Sequence, residues 1–192
     1  ERKSALQVPQ LGRALPLLAV LLMLLAIWLG WMGVRQWQDA RLAEDLRQAR
    51  DSAAAALTSA HAAQVRKLSE RLDSPPVKSA LAANDTAAAI AAVQKDWPQV
   101  EQVEILPSSL DAGYAEPDTF GYSKLALLED GLRADHVAAR VIRDGKQPKF
   151  GLAVAVPQGV MYLRLPLTEL TAGFDAVAVA DKAYLALRQG SY

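Results

Sequence analysis

The stretch ALPLLAVLLMLLAIWLGWMGV occupies residues 14–34 and contains 21 consecutive positions without a charged side chain. As a helix it would be roughly 31 Å long at about 1.5 Å per residue, which matches the hydrocarbon thickness of a bilayer. Trp28, Trp31 and Trp37 crowd its C-terminal end, and amphipathic rings favour the headgroup layer of a membrane. The run therefore predicts a transmembrane helix at residues 14–34, after a short tail at residues 1–13.

A cleaved signal peptide is the main alternative for this run. Its apolar core would hold about 7 to 15 residues, followed by small side chains at the cleavage site. The run here is longer, and the bulky Trp31, Met32 and Trp37 stand where small side chains would be needed. The pattern favours an anchor in the lipid bilayer. Basic residues flank the run on both sides, so they leave its orientation open.

The overall composition excludes several kinds of partner and site. The 192 residues include 21 basic and 21 acidic side chains, and this zero net charge argues against nucleic acid as a partner. The chain has no cysteine, which excludes disulfide bonds and thiolate metal sites.

Residues 35–72 contain no proline or glycine and are rich in strong helix formers. Apolar side chains recur there at alternating intervals of four and three residues, namely Leu42, Leu46, Ala49, Ala53, Ala56, Ala60 and Ala63. This heptad spacing predicts a helical stalk that forms a homodimer through residues 42–72. Packing against the chain's own domain is the alternative, because an alanine-rich seam buries little apolar area.

Pro75 and Pro76 end the stalk and begin a domain that we place at residues 73–192. The patterns predict short helices at 76–83 and 87–97, a strand at 100–105, a turn-rich stretch at 107–120 and a helix at 123–133. Strands at 137–143, 149–156 and 160–165 follow, then a helix capped by Thr168 and a fifth strand at 183–188. This order predicts an α+β fold: an antiparallel sheet of about five strands with helices on one face.

The segment LDSPPVKSALAANDTAAAIAAVQKDWPQVEQVEIL, residues 72–106, follows the predicted span and stalk. This arrangement resembles that of Cache or PAS-like extracytoplasmic sensor domains. The resemblance implies a sensor in the periplasm, anchored in the inner membrane of a bacterium. It also implies that a small ligand binds between the sheet and its covering loops.

Two shorter strings, FGYSKLALLEDGL at 120–132 and AYLALRQGSY at 183–192, suggest a narrower family. They resemble the membrane-anchored N-terminal extension of long-form bacterial phosphomannomutase/phosphoglucomutase proteins. This resemblance implies that catalytic domains follow residue 192 in a longer polypeptide. The family's phosphoserine loop and metal-binding aspartates do not occur in these 192 residues, so no catalytic residue is assigned.

The remaining candidates for chemistry are arginine and tyrosine side chains on and near the predicted central strands. Ligand-binding candidates are Tyr122, Arg140, Tyr162 and Arg164, with Arg143 on the same strands. Arginine offers a planar fork to a carboxylate or phosphate, and tyrosine offers a hydroxyl group and a ring. They predict a site for a small anionic ligand. Alternatively, the arginines point to solvent with their stems lying on the sheet.

No catalytic motif accompanies these residues. His61 and His136 are far apart in the sequence without a third ligand at useful spacing, and Ser123 is expected to cap a helix. We therefore expect no cofactor, metal site or catalytic residue. The sequence predicts a membrane-anchored sensory or regulatory module that is not itself an enzyme. The alternative is a single-span structural protein of a secretion or pilus assembly, which binds partners through its coiled coil and sheet edge.

Overall fold

A computed structural model of the chain describes residues 11–95, 97–144, 147–177 and 186. The chain divides into two compact units, of which the first has 11–49 as its described residues and the second begins at Arg50. Helix α1 spans Leu11–Asp73. The helices predicted at 14–34 and 35–72 are thus confirmed as parts of one continuous helix, whose C-terminal third belongs to the second unit.

In the first unit, α1 exposes its apolar side chains along residues 18–34. Among the described residues, α1 is the one helix long and apolar enough to cross a membrane, judged by length and composition. The Arg35 guanidinium lies 3.8 Å from the centroid of the Trp31 ring, and that of Arg41 lies 3.5 Å from the centroid of Trp37. Such cation–π pairs suit the headgroup layer, because an indole ring is amphipathic and a guanidinium is charged.

The second unit combines helices with one antiparallel sheet. Its elements after α1 are α2 (Pro75–Ala82), α3 (Thr86–Gln94), β1 (Gln102–Leu106), α4 (Asp111–Ala115), α5 (Pro117–Phe120), α6 (Tyr122–Arg133), β2 (Ala138–Asp144), β3 (Gln147–Val156), β4 (Gly159–Pro166), α7 (Thr168–Thr171) and a 3₁₀ turn (Ala172–Ala176). The Asp85 side chain accepts a hydrogen bond from the Ala88 amide at 2.9 Å and so caps α3, as its position before the helix predicts.

The strand order is β1-β4-β3-β2, and every neighbouring pair is antiparallel. The first strand therefore lies beside the last, and helices α4 to α6 cross between β1 and β2. Gly159 allows the close approach of β1 to the β3–β4 turn. Its φ is +140°, and a Cβ atom there would lie 2.0 Å from the carbonyl oxygen of Leu106.

One face of the sheet, here called the α1 face, packs against α1, α2 and α3. Leu68 from α1 and Val77 from α2 are fully buried in one cluster with Phe150, Leu152 and Leu163 of the central strands. Of the predicted stripe, Ala60 joins this cluster, together with Leu57, Val65, Leu68 and Leu72 of the same helix. Helix α1 therefore packs against its own domain over residues 57–72.

The opposite face, here called the α6 face, is covered by α6. Leu127 and Leu128 are fully buried there with Ala153 and Tyr162. Helices thus cover both faces, and the prediction of helices on one face is wrong. The reason is that β3 and β4 each bury at least four consecutive residues, so both of their faces must be shielded from water.

Three further expectations are resolved by the structure. The stretch predicted as turn-rich, 107–120, instead holds the short helices α4 and α5. Thr168 is the first residue of α7 and not its cap, which is Leu167. The described residues form four strands, whereas about five were predicted, and the fifth strand predicted at 183–188 lies outside the described part apart from residue 186.

Candidate functional site

A cavity of about 610 Å³ lies on the α6 face of the sheet, between β1, β4 and the helices α4 to α6. We call it the sheet cleft. Its polar lining residues are Gln102, Glu104, Glu116, Thr119, Lys124, Arg143, Tyr162 and Arg164. The volume falls within the range of small-molecule sites, about 300 to 1,000 Å³.

Strand alternation brings four of these side chains together. Tyr162 and Arg164 are two residues apart on β4, so both project from the same face. Glu104 pairs with Tyr162 across the β1–β4 ladder, and Gln102 pairs with Arg164. Directly opposed residues have Cβ atoms about 5 Å apart. The two cross-strand pairs therefore form a continuous polar floor for the cleft.

Lys124 extends over this floor from the first turn of α6. Its Nζ atom lies 2.7 Å from the Glu104 carboxylate, and the Gln102 side-chain amide donates to the other oxygen of that carboxylate. The same ammonium lies 4.5 Å from the ring centroid of Tyr162 and 4.7 Å from that of Phe120. Because only 17% of the Lys124 side chain is exposed, these contacts hold a cation at a defined place in the cleft.

Arg164 brings a second cation and is oriented by Glu101. The Arg164 Nε atom lies 3.2 Å from one oxygen of Glu101, and Lys149 Nζ lies 2.6 Å from the other. The hydrogen bond from Lys149 holds the pKa of Glu101 below its usual 4.5, and Arg164 acts in the same direction against the opposing effect of desolvation. Glu101 thus stays ionised and fixes the guanidinium at the edge of the cleft.

Helices α4 and α5 form the outer wall of the cleft, with Glu116 and Thr119 among its lining residues. Gly113 lets this wall pack closely, because a Cβ atom there would lie 3.1 Å from both Leu125 and Phe120. The arrangement can bind an anionic group through Lys124 and Arg164. Its carboxylates offer acceptors to a donor on the same ligand.

The structure brings together only part of the predicted site. Tyr162 and Arg164 line the sheet cleft, and so does Arg143. Arg140 lies on the same sheet face but lines a different groove, where its Nη2 atom donates to Asp130 at 2.7 Å. Tyr122 is 65% exposed and is not among the lining residues, and a hydrogen bond with Asp118 raises the pKa of its hydroxyl.

Sequence reasoning missed Lys124, Glu104 and Gln102. Gln102 and Glu104 alternate with apolar residues, which is also the pattern of a solvent-facing strand side. No local signal distinguishes them, because Phe120 ends α5 and Lys124 lies in the first turn of α6, with Gly121 at a φ of +93° between the two helices.

The described residues provide little for metal or nucleophilic chemistry. They contain no group of three or more histidine, aspartate and glutamate side chains that could hold a metal ion. Ser123 lies within α6 and does not cap it, and its hydroxyl accepts a hydrogen bond from the Arg143 amide at 3.1 Å. That contact ties α6 to β2.

Comparison with known proteins gives no match. No protein-family model matches the chain, and neither a curated protein nor a solved structure is significantly similar to it.

Proposed function

We propose that this chain is a membrane-anchored sensory module of Cache or PAS-like architecture, not catalytic in itself, which binds a small anionic ligand in the sheet cleft. The observation that carries the proposal is the pair of cations, Lys124 and Arg164, in a polar-lined cavity of ligand size. The four described strands, with the first beside the last, support such a sensor-like sheet.

Strand β4 offers a physical route from ligand to helix. Tyr162 and Arg164 face the cleft, while the alternating Met161, Leu163 and Leu165 are buried on the α1 face in one cluster with Leu68 of α1. A ligand that moves β4 must therefore repack the α1 face. Packed cores have discrete arrangements, so a small movement at the cleft would shift α1 in the second unit.

The test is a ligand screen on the full chain in neutral lipid nanodiscs. Dicarboxylates, amino acids and sugar phosphates would be ranked by the increase in Tm that they cause. We expect a hit to lose its effect in Arg164→Gln and to keep it in Arg47→Gln, which removes an exposed arginine of the first unit. A screen in which no hit loses its effect in Arg164→Gln would contradict ligand binding in the cleft.

The resemblance to the phosphomannomutase/phosphoglucomutase extension stays a prediction. We propose that the chain tethers such catalytic domains at the inner membrane of a bacterium, with the second unit in the periplasm. The full reading frame would be assayed for interconversion of mannose or glucose 1- and 6-phosphates, beside a chain that ends at Tyr192. Activity of the longer chain alone supports the tether, and inactivity of both contradicts it.

A structural role in a secretion or pilus assembly is favoured by one specific observation. In the described sheet, β1 and β2 are edge strands with one neighbour each. Edge strands present unpaired backbone groups to which a partner can add a strand. Site-specific cross-linking from Arg143 on β2 would capture a partner protein under this alternative and none under the sensor proposal.

Homodimerisation through residues 42–72 also remains a proposal. Because α1 packs against its own domain over residues 57–72, a dimer seam has its exposed apolar side chains at Leu42 and Leu46. Disulfide cross-linking of Leu42→Cys would trap a dimer in the membrane. Failure to cross-link at both Leu42→Cys and Leu46→Cys would contradict pairing through this helix.

A further inference from the structure

A second cavity, of about 780 Å³, lies in the second unit between α1, the C-terminal end of α6 and the start of β2. We call it the helix groove. It shares no lining residue with the sheet cleft. Both histidines of the chain line it, His61 from α1 and His136 from the segment before β2, although they are far apart in the sequence.

The charged lining of the helix groove is predominantly basic. Arg66, Arg133 and Arg140 line it from three different elements, and Asp130 is the one carboxylate among its described lining residues. The two imidazoles add further N–H groups to the same lining. Three arginines thus line the groove beside one lining carboxylate, and two further carboxylates, Glu70 and Glu129, pair with Arg66 and Arg133.

Each of the three arginines contacts a carboxylate but keeps N–H donors that this contact does not use. Arg140 donates to Asp130 at 2.7 Å, which orients its guanidinium. Arg133 donates to Glu129 at 3.2 Å, and Glu129 also accepts from the Tyr114 hydroxyl at 2.6 Å. Arg66 lies 3.7 Å from Glu70, with both side chains exposed. Since a guanidinium has five N–H donors, each arginine retains donors beyond these contacts. Exposed ion pairs of this kind contribute little and exchange readily for a better acceptor.

The rest of the groove is apolar. Val65, Val137 and Ala138 are among the aliphatic side chains that line it. A cavity lined by arginines and aliphatic side chains fits a molecule that has an anionic group attached to a carbon skeleton. The three guanidiniums and two imidazoles offer more donors than a carboxylate group on a ligand could accept. A phosphate group on the ligand suits them better, because it carries three strongly accepting oxygens.

We propose that the helix groove is a second ligand site, specific for a phosphate-bearing molecule whose oxyanion is bound by Arg66, Arg133 and Arg140. The phosphate could be that of a free organic phosphate monoester or that of a phosphodiester lipid headgroup, since the recognition chemistry is the same. This site is independent of the ligand proposed for the sheet cleft.

The test is calorimetric titration of the full chain in neutral nanodiscs with two soluble probes. Glycerol 1-phosphate represents a free monoester, and glycerophosphoglycerol represents the headgroup of phosphatidylglycerol. We expect at least one probe to bind, and the double variant Arg133→Gln/Arg140→Gln to weaken it at least about tenfold. Tighter binding of the monoester identifies a free phosphate as the source, and tighter binding of the diester identifies a lipid headgroup.

Two variants serve as controls. Arg47→Gln removes an exposed arginine that forms an i,i+3 ion pair outside the groove, so binding should stay within about twofold. Arg50→Gln removes an exposed arginine of the second unit that pairs with Asp51 outside the groove, and should also leave the affinity unchanged. Should the double variant unfold, the single exposed substitution Arg66→Gln must still weaken binding. Binding of neither probe, or an equal loss in Arg47→Gln or Arg50→Gln, would overturn the proposal.

Discussion

At the scale of single residues, Lys124 holds the sheet cleft together because three groups converge on one ammonium. The Glu104 carboxylate lies 2.7 Å from Nζ, and two aromatic rings flank it. Both partners of the ion pair are largely shielded, with 17% and 33% of their side chains exposed. Removing the cation therefore leaves a carboxylate that water solvates poorly.

We expect Lys124→Met to lower the free energy of unfolding by about 1 to 3 kcal/mol, since a charge-assisted hydrogen bond and a cation–π contact are lost. Urea unfolding of the full chain, followed by circular dichroism, measures this. The matched control is Lys78→Met, which breaks an ion pair with Asp73 of similar length, 2.9 Å, between exposed side chains. An equal loss in the two variants would show that the cleft does not strengthen the pair.

The lowered pKa of Glu101 makes the stability of the fold depend on pH. Its pKa is lowered in the folded chain, chiefly by the hydrogen bond from Lys149. A depressed pKa contributes stability that is present above the unfolded value, near 4.5, and is lost as the pH falls through the folded value. We expect Glu101→Gln to reduce stability at neutral pH and to flatten the loss of stability below about pH 4.5.

Unfolding midpoints measured across this acid range test the Glu101 prediction. Lys149→Met should remove most of the same pH-dependent component, because it removes the largest cause of the shift. The double variant should then differ little from either single one. Additive effects of the two substitutions would mean that the Glu101–Lys149 pair is not the source of the pH dependence.

At the scale of elements, sequence patterns predicted the bounds of α6 closely, but they did not predict where α6 packs on the sheet. Its predicted bounds, 123–133, differ from the observed Tyr122–Arg133 by one residue, because its apolar periodicity is local. The contact that seats it on the sheet is Gly131 against Ala153 of β3. Nothing near Gly131 in the sequence identifies Ala153 as its neighbour.

Replacing Gly131 by alanine separates two opposite effects on stability, that of helix propensity and that of packing. In an open helix, Gly→Ala stabilises by roughly 1 kcal/mol. Here a Cβ atom would lie 2.8 Å from the Ala153 Cβ and 2.9 Å from its backbone carbon, so α6 would have to move. We expect Gly131→Ala to destabilise the second unit by about 1 to 3 kcal/mol, the usual cost of overpacking.

The same unfolding measurement tests this substitution. Gly33→Ala is the control, because that helical glycine has nothing within 4 Å of an added Cβ atom, and it should not destabilise the chain. A stabilised Gly131→Ala variant would show that propensity outweighs the close approach and that α6 sits further from β3.

At the scale of the whole molecule, the exposed apolar surface at residues 18–34 is the feature that would let the chain cross a membrane. Large side chains such as Leu24 and Leu25 are exposed there, and apolar surface of this extent is not stable in water. A bilayer would cover it along its full length. Association of the chain with membranes can therefore be measured without a ligand.

We expect the full chain to stay with membranes after alkaline extraction. Two charges at the centre of the run, Leu24→Lys with Leu25→Lys, should release most of it, since each costs about 2.5 to 3.5 kcal/mol at the middle of a span. The control is Leu42→Lys, an exposed leucine of α1 outside the run. Release of the unaltered chain would contradict the anchor.

By itself, the sequence determined the features that depend on a few neighbouring residues. These are the long helix across residues 14–72, its end at Pro75 and Pro76, α6 and the three strands after it. Their causes are local: hydropathy, periodicity and the missing amide of proline. The tertiary structure alone decided which strands pair, that helices cover both sheet faces, and that Tyr162 and Arg164 share a cleft with Lys124 while Arg140 binds Asp130. Those outcomes depend on packing between residues far apart in the chain, which no local pattern encodes.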